Sequence, residues 1–498
     1  MDYGGPVIVD AALVSGLVRN PAAPVDLVLR LIDSRPGPAL EGLRQRAHLS
    51  PALQEAMAGH PSRKVRGALA RHRDAEPAIR ARLLTDPQWW VVIRAFGARG
   101  QRPLSDEAVN ALLSRIDELP DGVTPDGLLT VQELYAELWD VRPFDLRLFR
   151  LAAVHPRPGV REFATGVMKA FDEPLRQALL HDPDEGVRAR AADHVAWEQR
   201  VMQPADLPDH HMHAFWDVLQ RRLSRELVDQ VVASDDPQAL YFVGPNPTTP
   251  PDVVEALLSH PVAEVRVRLA GRADLSTGQL LRLAADPDVA VRTAVSVHPG
   301  LTEEQRATIA ISPDEETPGA PPSREEALRW ARSVNPLLRR RAARNPGLPA
   351  DLVTALAGDA DPGVRVLLAL HHPDAPPELM LSSYLDHPGS RRELAELPRF
   401  PTEGLARFAG HADPAVRRLV ARDPLADPQL IARMSADPDL TVRQANASCP
   451  RLPVERLTAL LEDPELAGSA AANPALPAAL MDYLSRLPPS TMDTFPVM

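Results

Sequence analysis

Cysteine is nearly missing: Cys449 is the single one in 498 residues. No disulfide can form within the chain, and a zinc or iron–sulfur site built on cysteine would lack ligands. The expected compartment is the cytoplasm. Lysine is almost as scarce. Lys64 and Lys169 are the only two, so arginine carries the positive charge. With the excess of Ala and Pro, this usage points to a GC-rich, bacterial coding genome, and arginine richness alone therefore says little about a ligand. No apolar run approaches the length of a membrane-spanning helix, so no membrane association is expected. The apolar opening VIVDAALVSGLV follows Asp2, contains Asp10 and lacks a basic flank and a cleavage pattern, so no signal peptide is expected. P-loop, dinucleotide-binding glycine pattern, serine-nucleophile elbow and HExxH are all absent. The chain is accordingly expected to be no enzyme and to take no cofactor. A formal net charge of -12 argues against nucleic-acid binding by the chain as a whole, although a local basic groove stays possible.

Proline, in contrast, is abundant, with 53 residues at recurring offsets between apolar runs. A chain this long would ordinarily divide into several globular domains; a repeat array escapes that rule. The apolar residue before the Arg of each V-R pair sets the period. Val265 and Val291 lie 26 residues apart, and Leu338, Val364, Ser390, Val416 and Val442 follow one another at the same interval. Val65 and Val91 repeat it, Val160 and Val187 are 27 apart, and Ala239 marks a degenerate copy. Five residues before this anchor sits Asp or His, as at His60, Asp86, His155, Asp182, His260, Asp286, Asp359, His411, Asp437 and Asp463. Pro usually follows. The pair reads as a helix N-cap and first helical residue, the Asp oxygen accepting a free backbone N–H. A second mark, NPxxP, stands at Asn20, Asn246, Asn345 and Asn473, with variants at His298 and Cys449. There Asn is expected to close a helix in the left-handed conformation, and Pro to forbid its continuation.

Between the marks lie two short apolar segments with helical spacing, for example Leu352, Val353, Leu356 and then Val364, Leu367, Leu368. Each is too short to be stable alone in water. The predicted fold is all-α: a solenoid of paired short helices, on the order of a dozen copies, each burying its apolar face on the next.

The sentence NPxLPxxLLxxLAxDPxxxVRxxVAxNP, almost intact at 345–373, 423–453 and 248–300, resembles that of leucine-rich repeat variant proteins, whose nearest relatives in pattern are HEAT repeats. The resemblance covers most of 1–100, 151–311 and 324–484. It implies a right-handed superhelix in which α-helices alternate with short 3-10 helices, without β-strands. The cysteine cluster of the best-known member does not carry over, since there is one Cys.

Three stretches break the pattern. Residues 101–150 read as a helical insertion, with Ser105 capping one helix and TVQELYAELWD following a turn at Asp121 and Gly122. Residues 193–235 hold a second insertion with a longer amphipathic helix. Residues 312–323, SPDEETPGAPPS, read as an acidic Pro-rich hinge, and the tail 485–498 carries no repeat. Insertions in solenoids often mark the binding face.

The Arg after each anchor forms a register: Arg66, Arg161, Arg188, Arg266, Arg292, Arg339, Arg365, Arg391, Arg417 and Arg443. Stacked copies would set these in a row. It is either a structural ladder, each Arg reaching a cap or a free carbonyl of a neighbouring copy, or a basic stripe for phosphates or an acidic peptide. Cap and Arg travel together, which favours the ladder. The most basic stretch holds Arg329, Arg332, Arg339, Arg340, Arg341 and Arg344 and follows the acidic hinge. It is a solvated face, or an anion-binding patch masked by that hinge. His210, His211 and His213 read as a surface loop before a metal site. Trp89 and Trp90 are core filling or a groove anchor. The function expected is a scaffold that binds a protein or peptide on its surface. The alternative is a HEAT-like solenoid with an Arg-lined groove for nucleic acid. The sequence leaves partner and oligomeric state open.

Overall fold

The computed structural model describes residues 10–97, 101–119, 122–124, 129–139, 146–208, 213–312 and 322–488. Most of the hinge 312–323 and of the tail 485–498, together with Asp121, His210 and His211, lie outside them. The described residues are overwhelmingly helical, and no helix among them is long and apolar enough to cross a membrane. The chain divides into two compact units: Met1–His194 with Thr402–Met498, and Val195–Pro401.

Each unit is built from helix pairs that pack on their neighbours. In the second unit the V-R helices Pro237–Val243, Ala263–Leu269 and Val289–Ser296 touch in sequence, as do Pro336–Ala343 and Pro362–His371. The helices before them, such as Pro251–Leu257 and Thr277–Ala284, complete each pair. The anchors drive this packing. Val65, Val91, Val160, Val187, Ala239, Val265, Val291, Leu338, Val364, Val416 and Val442 are all buried. A seven- or eight-residue helix cannot hold itself in water, so its stability comes from apolar area removed on both sides. Ser390 departs from the register: it is half-buried in a 3-10 turn, Pro388–Ser390, and Leu394 of the helix Arg391–Glu396 enters the core instead.

In the first unit the two ends of the chain meet. The V-R helices Pro414–Arg417, Leu440–Ala447 and Ala467–Ala471 touch in order, and the next in line is the N-terminal helix Ala11–Arg19, followed by Pro36–Gln45, Arg63–Arg71 and Trp89–Phe96. The partner of Ala11–Arg19 on its outer side is the C-terminal helix Ala478–Arg486. One helix pair is thus composed of a helix from each end. The crossing is close: a Cβ on Gly16 would lie 2.1 Å from the Gly468 carbonyl oxygen, and one on Gly468 would lie 2.8 Å from that of Ala12. Arg30 pairs with Asp482 at 2.7 Å, and Arg35 donates to the Leu487 carbonyl.

Two readings of local structure need correction. The Asp of most D-P pairs is not the N-cap. Asp86, Asp286 and Asp437 each accept the backbone N–H two residues on, from Gln88, Asp288 and Asp439, and the helix starts after those residues. His takes the same place because its Nδ1 accepts the same bond, as in His60 from Ser62 and His260 from Val262. Where Pro slides, Asp361 and Asp413 are true N-caps ahead of Pro362 and Pro414. Nor is the Asn left-handed; among the described residues the sole non-glycine with positive φ is Asp235. Asn is required for its amide, described below.

The insertions also differ in detail. Ser105 caps Asp106–Asp117 as expected, and Val131–Trp139 follows. The longer helix expected within 193–235 is two helices, His213–Leu219 and Arg225–Ser234, because Ser224 caps the second. Between them Arg222–Leu223 pairs in parallel with Val201–Met202, a two-residue strand pair within an otherwise helical unit.

Candidate functional site

The register arginines occupy a recurring geometry. Arg266 donates from Nε and Nη2 to both oxygens of Asp286 at 2.8 Å, and from Nη1 to the carbonyls of His260 and Pro261 at 2.6 and 3.2 Å. Arg66 to Asp86, Arg161 to Asp182, Arg339 to Asp359 and Arg417 to Asp437 repeat it. Arg443 reaches Glu465. Among the described residues, Arg188, Arg292 and Arg365 reach carbonyls and no carboxylate. Arg391 donates to Tyr384 and Leu385 and lies over the Tyr384 ring. One guanidinium therefore ties its own turn to the Asp of the corresponding turn in the next pair. The Arg partners hold the carboxyls of Asp182, Asp286 and Asp437 below the usual carboxylate range, above all through these side-chain hydrogen bonds.

A second ladder was not foreseen. After several V-R helices stands a side chain that donates to carbonyls at the end of the preceding pair; at His72, Asn246, Arg272, His298 and Cys449 it lies seven residues after the anchor. Asn473 donates to Ala447 and Cys449 at 2.8 and 2.6 Å, and Asn246 to Leu219 and Arg221 at 2.9 and 2.6 Å. Asn20 does the same to Ala471 and Asn473, at 2.9 and 2.6 Å, across the junction of the chain ends. His72 and His298 fill the position with Nε2 against the carbonyls of Arg46 and Arg272. Arg46 and Arg272 fill it with guanidinium groups. Cys449 offers a thiol to Ala421 at 3.4 Å. The signal was legible, since Asn, His, Arg and Cys share this register, but helix punctuation explained the Asn and hid the need for a donor.

The candidate basic stretch separates. Arg339 and Arg340 pair with Asp359 and Asp361. Burial lowers the pKa of Arg341, with Arg344 adding to it. Arg329 is exposed, and Arg332 is exposed with Asp351 at 3.6 Å. The tryptophans separate too. Trp89 is buried beneath the Arg115 guanidinium, which takes it off the surface. Trp90 is exposed, lies under Arg94 and covers Gly67, where a Cβ would meet its ring. His213 is exposed, and the described residues contain no group of His, Cys, Asp or Glu able to hold a metal ion.

The described residues also form two hollows that were not read from the sequence. In the second unit, Trp216, Tyr241, Phe242, Pro237, Val262 and Glu264 surround about 370 Å³. Trp216 stacks on Phe242 with ring centres 5.0 Å apart, and Arg268 covers Tyr241. In a chain with 4% aromatic residues, the adjacent Tyr241 and Phe242 were the available clue. In the first unit a polar hollow of about 540 Å³ runs along the V-R helices and includes Arg19, Gln45, Arg418, Gln444 and Ser469. No protein-family model matches the chain, and no curated protein matches it either.

Proposed function

We propose that this chain is a non-enzymatic binding scaffold: a right-handed solenoid of the leucine-rich repeat variant kind that holds a protein or peptide partner on its surface, in the bacterial cytoplasm. The supporting observation is where the recurrent polar groups go. Register arginines, their Asp partners and the Asn, His and Arg donors bond one helix pair to the next. They are spent on architecture, and the two hollows among the described residues are surfaces that could receive another molecule. The same bonds weigh against a nucleic-acid stripe, since such a stripe needs a row of guanidinium groups open to phosphate.

The test is capture from untreated and nuclease-treated lysate on the immobilised full chain at two salt concentrations, with cross-links mapped by mass spectrometry. A protein partner cross-linked beside either hollow is expected. Recovery of nucleic acid alone, lost with nuclease or at higher salt, would overturn the reading.

A further inference from the structure

The hollow of the first unit has a composition that the rest of the chain does not share. Acidic residues outnumber basic ones, 67 to 55, yet no carboxylate lines it and two arginines do. Arg418 is exposed and forms no ion pair with a described residue. Arg19 donates to Gln45 at 3.0 Å and to the Gly468 carbonyl at 3.5 Å, both neutral, while burial disfavours its charge. Three carboxylates of the lining elements and their neighbours have partners of their own: Glu41 pairs with Arg44 and also accepts from Gln45 Nε2 at 2.7 Å, Glu465 pairs with Arg443, and Asp439 is the N-cap of Leu440–Ala447. The remaining lining is hydroxyls, amides and small apolar groups.

Its shape follows from the stacking. The lining comes from five neighbouring elements and the turns after them: the 3-10 helix Arg418–Arg422, then Leu440–Ala447, Ala467–Ala471, Ala11–Arg19 and Pro36–Gln45. Helices packed side by side lie about 8–10 Å apart, so the hollow is elongated across them, and its volume of about 540 Å³ accommodates a few side chains of an extended chain.

We propose that this groove binds a short, extended acidic peptide segment of a partner, with its carboxylates on Arg19 and Arg418 and its backbone against the amides and hydroxyls between them. This rests on the scaffold reading and gives the partner's chemistry. Because Arg19 and Gln45 come from the N-terminal part and Arg418, Gln444 and Ser469 from the C-terminal part, the ligand bridges the chain ends. Binding is therefore linked to their closure.

The probe is fluorescein-labelled hexaglutamate, titrated by anisotropy into the full chain, beside hexaglutamine. Hexaglutamate is expected to bind about tenfold or more tightly than hexaglutamine and to lose affinity with salt. Arg418→Ala should weaken it several-fold and Arg418→Glu more; both change an exposed side chain, and an unchanged melting curve will show the fold intact. Ser469→Glu, which puts a carboxylate into the groove, should also weaken it. Equal affinity for the two peptides, or no effect of Arg418→Glu, overturns the assignment. A lysate partner captured equally by wild type and Arg418→Glu would leave the scaffold reading standing and remove the groove from it.

Discussion

Where Asn, His or Arg follows the anchor by seven residues, as at His72, Asn246, Arg272 and His298, its side chain delivers N–H groups to carbonyls at the end of the preceding pair, whereas Asp423 holds the same register and accepts the Ala406 and Leu425 N–H groups instead. A buried carbonyl without a donor costs on the order of 1–3 kcal/mol, so Asn, His and Arg are interchangeable there while differing in size and charge. Cys449 is the weak member, with a thiol 3.4 Å from Ala421. Cys449→Asn is expected to stabilise the chain by about 1 kcal/mol, read as a higher urea midpoint. Acid should act on the same ladders in two stages. His72 donates through Nε2 and accepts the Asp74 N–H at Nδ1, so it must stay neutral; burial, the largest cause, lowers its pKa, and that of His155. A depressed histidine contributes stability in full above its unfolded pKa of about 6.5, and that contribution is lost as pH falls through the folded value. Asp182, Asp286 and Asp437, also depressed, contribute above about 4 and lose it at lower pH. Thermal midpoints should therefore fall in two steps, below about pH 6.5 and below about pH 4, with a pH-independent midpoint across that range as the contrary result.

Among the elements, the helix crossing of Ala11–Arg19 with Ala467–Ala471 tolerates no side chain at its centre. Gly16 faces the Gly468 carbonyl oxygen, and the space for a Cβ is already backbone. Gly468→Val is expected to push the two helices apart, lowering stability by about 3 kcal/mol or more as an overpacked contact between backbones. Hydrogen exchange at Leu13, Val14 and Leu17 would read it, and unchanged protection there would contradict the close crossing. The control is Gly37→Val, where nothing lies within 4 Å of a Cβ and little change is expected.

At the scale of the whole chain, the composite helix pair makes the ends interdependent. Removing the C-terminal helix Ala478–Arg486 exposes the outer side of Ala11–Arg19, more than four hundred residues away in sequence. In a stack each copy leans on its neighbours. A chain truncated after Asn473 should thus lose amide protection through Ala11–Arg19 and Val25–Ser34. Protection confined to wild-type levels in both helices would show that the N-terminal pairs stand without their C-terminal neighbours. The groove for an acidic peptide belongs to this scale as well, for its two arginines come from opposite ends.

The division between sequence and tertiary structure runs along the range of the forces. Helix content and buried anchors were legible in the sequence because they follow from short-range patterning, the Val265-to-Val291 interval and apolar residues at helical spacing; the helix starts were misread, because Pro after Asp86, Asp286 and Asp437 belongs to the turn before the helix. The pairing of Arg with a carboxylate in the next copy was legible as one of two readings, because both residues keep a fixed register. The donor ladder was written in the same register but read as punctuation, since an Asn before Pro has a sufficient local explanation. The meeting of the ends had no local signature at all. Nothing in ALVSGLVRNP states that Gly16 will lie against Gly468 or that Asn20 will donate to Ala471 and Asn473. That juxtaposition, and the hollow it completes, comes from packing apolar faces that find partners only when the chain returns to its start.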